Sequence, residues 1–96
     1  MTLVEFNEHI KNKEKPEGMN PYLEAMYEDA LGHWDRAHDI IQDIPGIYGN
    51  WIHAYLHRKE GDHWNARYWY TNAGKPRPNY DLEQEWKEIA TELLKM

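Results

Sequence analysis

The sequence predicts an all-α fold of about six helices, in which two antiparallel helical hairpins stack and a further helix covers the exposed face at each end. Three observations carry this reading. Apolar residues recur at helical spacing in six segments divided by Gly or Pro. No segment alternates apolar and polar residues for long enough to be a strand. Finally, a unit at 20–48 returns as a unit at 49–78, with a constant offset of 29 residues.

The elements follow in chain order. Residues 2–13 read as a terminal helix: Thr2 with Glu5 has the spacing of a capping box, and Leu3, Phe6 and Ile10 make one stripe. Pro16 and Gly18 break a charged linker at 14–19. Asn20-Pro21 is a helix start, with Asn as the cap and Pro in the first turn, where its missing N–H costs nothing. The helix it opens carries Tyr22, Leu23, Met26, Tyr27 and Ala30 on one face and ends at Gly32-His33. A third helix is expected over 34–44, with Ala37, Ile40, Ile41 and Ile44 at i, i+3, i+4 and i+7, stopped by Pro45-Gly46. The fourth, about 48–60, carries Trp51, Ile52, Tyr55 and Leu56 and turns at Gly61-Asp62. The fifth, about 63–73, carries Ala66, Trp69, Tyr70 and Ala73. Pro76 and Pro78 prevent its continuation, because each lacks a donor and clashes with the preceding turn. Asp81 with Gln84 opens a terminal helix over 81–95, striped by Leu82, Trp86, Ile89, Ala90, Leu93 and Leu94.

The repeat keeps both apolar stripes and the breaker in register. Gly32 falls on Gly61, Ala25 on Ala54 and Ala37 on Ala66; Ile40 and Ile41 fall on Trp69 and Tyr70. A small residue five positions after each Gly lets the two helices of a hairpin approach closely, while the larger residues beyond it reach the neighbouring hairpin. Each hairpin leaves one apolar face uncovered, so hairpins stack. Gly61, Ala66, Tyr70, Ala73 and Pro78 stand where tetratricopeptide repeats place their small, aromatic and terminating residues. The run from Ala66 to Gly74, with Trp69-Tyr70 at its centre, also resembles the core of Sel-type repeats. Gly32, Trp34, Ala37, Ile41 and Ile44 form a fainter copy. The resemblance departs from the family in its 29-residue period and in lacking the Leu-Gly pair of the first helix. It implies a helical-hairpin array that binds a protein or peptide in a concave groove.

Composition sets further bounds. Ninety-six residues form one domain with a modest core. With 14% aromatics, including five Trp and seven Tyr, much of the buried area has a polar tip that needs a partner. The net charge of −6 argues against nucleic acid or an anionic membrane as partner. The absence of Cys excludes a disulfide, a thiolate metal site and a Cys nucleophile, and suits a cytoplasmic protein. The N-terminal segment lacks the apolar run of a signal peptide, and no stretch approaches the roughly 20 apolar residues of a membrane span. There is no Ser, and Gly46–Gly49 lacks the Lys and Ser/Thr of a phosphate loop.

The expected function is therefore non-catalytic: a protein- or peptide-binding module, with self-association as one form of it and no cofactor. On helical wheels Asn50, His53 and His57 share a flank of the fourth helix, and Glu24 and Glu28 take the equivalent positions in the second. With Arg58 beside them, these six residues are the expected ligand-binding strip on a concave wall. The alternative is a small metal-dependent or acid/base enzyme. His53 and His57, one helical turn apart, would then bind zinc or another divalent metal, completed by Glu24, Glu28 or Glu60. The zinc-protease motif is absent, since Ala54 rather than Glu follows His53. His33 and His63 lie near turns, His38 is spaced to bond Gln42, and Trp64, Tyr68 and Arg67 form a second aromatic flank on the fifth helix with the composition of an interface anchor.

Overall fold

Six helices and no strands form in the computed structural model, which describes residues 1–96: α1 (Leu3–Asn12), α2 (Pro21–Ala30), α3 (Trp34–Ile41), α4 (Ile47–Glu60), α5 (His63–Ala73) and α6 (Leu82–Leu94). Three of their starts, those of α1, α2 and α6, are the caps read from sequence, while α3 and α4 begin without a side-chain cap. The Glu5 N–H donates to Thr2 Oγ1 at 3.1 Å while the Glu5 carboxylate accepts from the Thr2 N–H at 3.0 Å, the reciprocal capping box. Asn20 accepts from the Leu23 N–H at 2.9 Å and Asp81 from the Gln84 N–H at 2.8 Å. Asp62 caps α5 through the Asn65 N–H, after a left-handed turn that Gly61 supplies at φ 88°.

One boundary moves. The third helix stops at Ile41 rather than running to 44. Gly49, in the first turn of α4, sits directly against the backbone of Ile44: a Cβ there would lie 2.1 Å from the Ile44 carbonyl oxygen. Ile44 still packs on the core, but from a non-helical connection.

The pairing is that of hairpins: α2 lies against α3, and α4 against α5. Small residues sit where the helices approach, with Ala25, Ala37, Ala54 and Ala66 all fully buried. α4 is the central helix. It touches α2, α3, α5 and α6, and its seven consecutive residues from Trp51 to His57 are buried. A helix enclosed on this many sides has no single apolar stripe. α6 crosses both α2 and α4, and α1 packs on α6, where Phe6 stacks on Trp86 with ring centres 5.9 Å apart. Both terminal helices thus cover the α2–α4 side, the side on which a groove lined by the first helix of each hairpin would open. The outer faces of α3 and α5 remain bare.

The polar tips inside this core are bonded. Glu85, fully buried, accepts from Trp51 Nε1 at 3.2 Å, Tyr70 Oη at 2.7 Å and Arg58 at 2.8 Å. Asp29, also buried, accepts from Tyr55 Oη at 2.8 Å and Lys59 Nζ at 2.9 Å. Trp86 donates to the Met26 carbonyl at 3.2 Å. No helix is long and apolar enough to cross a membrane.

Candidate functional site: three histidines on a ring-lined face

Helical periodicity places His53 and His57 one turn apart on α4, and their ring centres lie 4.8 Å apart with the planes inclined by 29°. The third member comes from the other hairpin. His38 of α3 reaches across so that its Nε2 stands 3.0 Å from His53 Nε2, with its ring centre 4.8 Å from that of His53 and 5.2 Å from that of His57. One nitrogen of each of the three imidazoles lies within 4.8 Å of the others. The 3.0 Å contact requires one ring to offer N–H and the other a lone pair.

Two tryptophans hold the cluster from either side. Trp34, one turn before His38 on α3, stacks on it at 5.0 Å and is anchored by a 2.7 Å bond from its Nε1 to the Leu56 carbonyl of α4. Trp69 of α5 stacks on His53 at 4.0 Å. Tyr68 meets Trp69 edge-on at 5.1 Å, and Trp64 lies one turn before Tyr68. An unbroken chain of ring contacts therefore runs from Trp34 through the histidines to Tyr68, across α3, α4 and α5. It ends at Tyr68, 54% exposed; Trp64, one turn earlier on α5, is 77% exposed and outside the chain of contacts.

Burial sets the charge state of the cluster. His53 is pushed down to about 4 by desolvation first, and then by repulsion from His57 and His38. His57 is also lowered by desolvation, against the opposing pull of Glu60. Both shifts favour the uncharged ring at neutral pH, with one N–H and one lone pair on each. His57 Nδ1 is buried without a hydrogen-bond partner, and the nearest carboxylate oxygen, Glu60 Oε2, stands 3.7 Å away.

Of the six residues expected to form one ligand-binding strip, only His53 and His57 belong to this cluster. Glu24 is paired with Lys15. Glu28 is buried and held by Arg36 at 3.2 Å, with His33 at 3.6 Å. Asn50 donates to the Asn72 carbonyl at 3.3 Å, joining α4 to α5. Arg58 turns inward to Glu85 and the Tyr80 carbonyl, so it lies on the α6 side of the helix. His38 bonds His53 and not Gln42. His38, Trp34 and Trp69 are the site residues the sequence reading did not single out. In repeat register His38 falls on Arg67, so the repeat gave no hint. The signal present was that Trp34 and His38 have the same one-turn spacing as His53 and His57.

No known protein family matches the chain, and neither the curated proteins nor the solved structures contain a match to it.

Proposed function

We propose that the protein is a non-catalytic binding module that docks a protein or peptide on the outer face of α3 and α5. One observation carries the reading: Tyr68 stands exposed at the end of a chain of rings fixed in place by Trp69, His53 and Trp34, and Trp64 stands exposed one turn before it on α5. Large rings held by a rigid support lose little entropy on binding and are the usual anchors of interfaces. The hairpin pairing of α2 with α3 and of α4 with α5 supports the likeness to tetratricopeptide arrays. The partner would meet the outer face, because α6 and α1 occupy the inner one. The three buried acids favour a non-catalytic role, since Glu28, Asp29 and Glu85 are each engaged by internal donors. The net charge of −6 favours a basic partner over an acidic one. A cytoplasmic location belongs to the same reading and rests on the Cys-free composition.

Peptide selection against the immobilised protein, with sedimentation over a range of concentrations for self-association, tests this. Binding, to a peptide or to a second copy, should fall at least tenfold in Trp64→Ala and Tyr68→Ala, both of which alter exposed side chains. Ligands that bind both variants as tightly as the parent protein would overturn the assignment of this face.

A further inference from the structure

We infer that His38, His53 and His57 form a binding site for a divalent transition metal of the zinc class, with Glu60 as the carboxylate that orients His57. The inference goes beyond the docking face and needs neither Trp64 nor Tyr68.

The donor set comes first. Three imidazoles with one open position is a ligand set that zinc takes in sites that are not coordinatively closed, and imidazole suits zinc, copper and nickel better than magnesium or calcium. A ligand to such a metal must be neutral, and His53 and His57 are both buried, which disfavours the charged ring. Spacing comes second. Zinc–nitrogen bonds of about 2.0–2.1 Å in a tetrahedral site set the nitrogens about 3.3 Å apart. The His38 and His53 nitrogens are 3.0 Å apart, and all three rings have a nitrogen within 4.8 Å of the others, so modest side-chain rotations would gather them.

Packing alone accounts poorly for the cluster. Three imidazoles between two indoles share a single mutual hydrogen bond, and His57 Nδ1 is left buried with none. A buried polar nitrogen without a partner costs stability, and apolar residues of similar size would fill the space without that cost. The orphan nitrogen has a simple complement. Glu60 lies one turn beyond His57, its Oε2 3.7 Å from Nδ1, too long for a hydrogen bond but within reach of a small rotation. Histidines that ligate a metal through one nitrogen commonly donate the other N–H to a carboxylate, which fixes the tautomer and raises ligand basicity. With the metal on Nε2, Glu60 would take that role. The rings flanking the cluster are held in advance: Trp34 by its bond to the Leu56 carbonyl, and Trp69 by its stack on His53. Because His38 comes from the first hairpin and His53 and His57 from the second, a bound ion would tie the two units together.

Untagged protein stripped with a chelator, titrated with zinc sulfate by calorimetry and with cobalt(II) by visible absorption, tests the site. The expected result is one equivalent of zinc bound, a rise in melting temperature, and the intense visible bands of four-coordinate cobalt. His38→Gln should abolish the cobalt bands. Glu60→Gln, at an exposed position, should weaken zinc by about 10–100-fold with the metal-free melting temperature unchanged. Trp64→Ala should bind zinc like the parent, which separates this site from the docking face. No stoichiometric zinc binding by the parent protein, or cobalt bands that survive in His38→Gln, would overturn the site. Zinc binding that is equal in Glu60→Gln and the parent would overturn the role of Glu60.

Discussion

Arg58 of α4 and Glu85 of α6 meet at 2.8 Å, and the Glu85 side chain is completely withdrawn from solvent. The same carboxylate takes the Tyr70 hydroxyl and the Trp51 indole N–H, so one acid satisfies three donors from the second hairpin. Removing it would leave the Arg58 charge, itself only 14% exposed, without a counter-charge. Losing one partner of a buried pair costs about 3–5 kcal/mol. Glu85→Ala should therefore unfold at a much lower urea concentration than the parent protein. Glu85→Gln should fall between them, because its amide brings a donor where donors already converge. A Glu85→Gln midpoint equal to the parent's would show that the network does not anchor α6.

Gly49 separates two opposed effects. It is helical, with no positive φ. Helix propensity alone would make Gly49→Ala stabilising by about 0.8–1.0 kcal/mol. Yet the added Cβ would lie 2.1 Å from the Ile44 carbonyl oxygen, a backbone atom that cannot swing aside. Overpacking of this kind costs about 1–3 kcal/mol. The clash should win, and Gly49→Ala should lower the melting temperature. A rise would mean that the connection between α3 and α4 yields freely.

Ala66 is fully buried where α5 crosses α4, as Ala37 is between α3 and α2. Both stand five residues after the glycine of their hairpin, and the close approach depends on a one-carbon side chain. Ala66→Leu should lose about 1–3 kcal/mol by overpacking, while Ala66→Ser, which adds one oxygen able to bond the carbonyl one turn back, should lose less. Chemical denaturation of both variants checks the order, and equal losses would contradict the close-packing account.

These residues also show which features were legible in the sequence. Caps, breakers and stripes are local signals, so Thr2, Asn20 and Asp81 marked helix starts and Gly61-Asp62 marked a turn, and the six-helix all-α class followed. The direction in which a polar residue of the central helix turns is not local. Arg58 and His57 are neighbours in sequence, yet one enters the α6 network and the other the histidine cluster, because α4 is enclosed from several sides. The wheel that grouped Glu24, Glu28, Asn50 and Arg58 with the histidines assumed an open groove, whereas α6 lies across α2 and α4. His38 was hidden for a similar reason: its partner is 15 residues away on another hairpin, and only the crossing of α3 over α4 brings them together.

The pH dependence of the metal-free protein tests the burial of the cluster. His53 titrates near 4 when folded, against 6.5 for an unperturbed histidine, and His57 is shifted in the same direction. Between these values the unfolded chain binds protons that the folded protein refuses, so stability rises with pH across the window and falls as pH drops from 6.5 towards 4. Below the folded value His53 protonates in both states and its contribution levels off. The groups facing it act in known directions: His38 and His57 oppose its protonation, and Glu60 partly restores the charge of His57. Glu5 and Asp62, whose carboxyls are held low by their capping bonds, also favour higher pH, but Glu5 acts from the foot of the histidine window downward, below its ordinary 4.5, and Asp62 below its ordinary 3.8. Urea midpoints measured in chelator at pH 7 and pH 5 should therefore drop for the parent protein and drop less for His53→Gln. Parallel losses in the two proteins would show that His53 is hydrated in the folded state and carries none of the dependence.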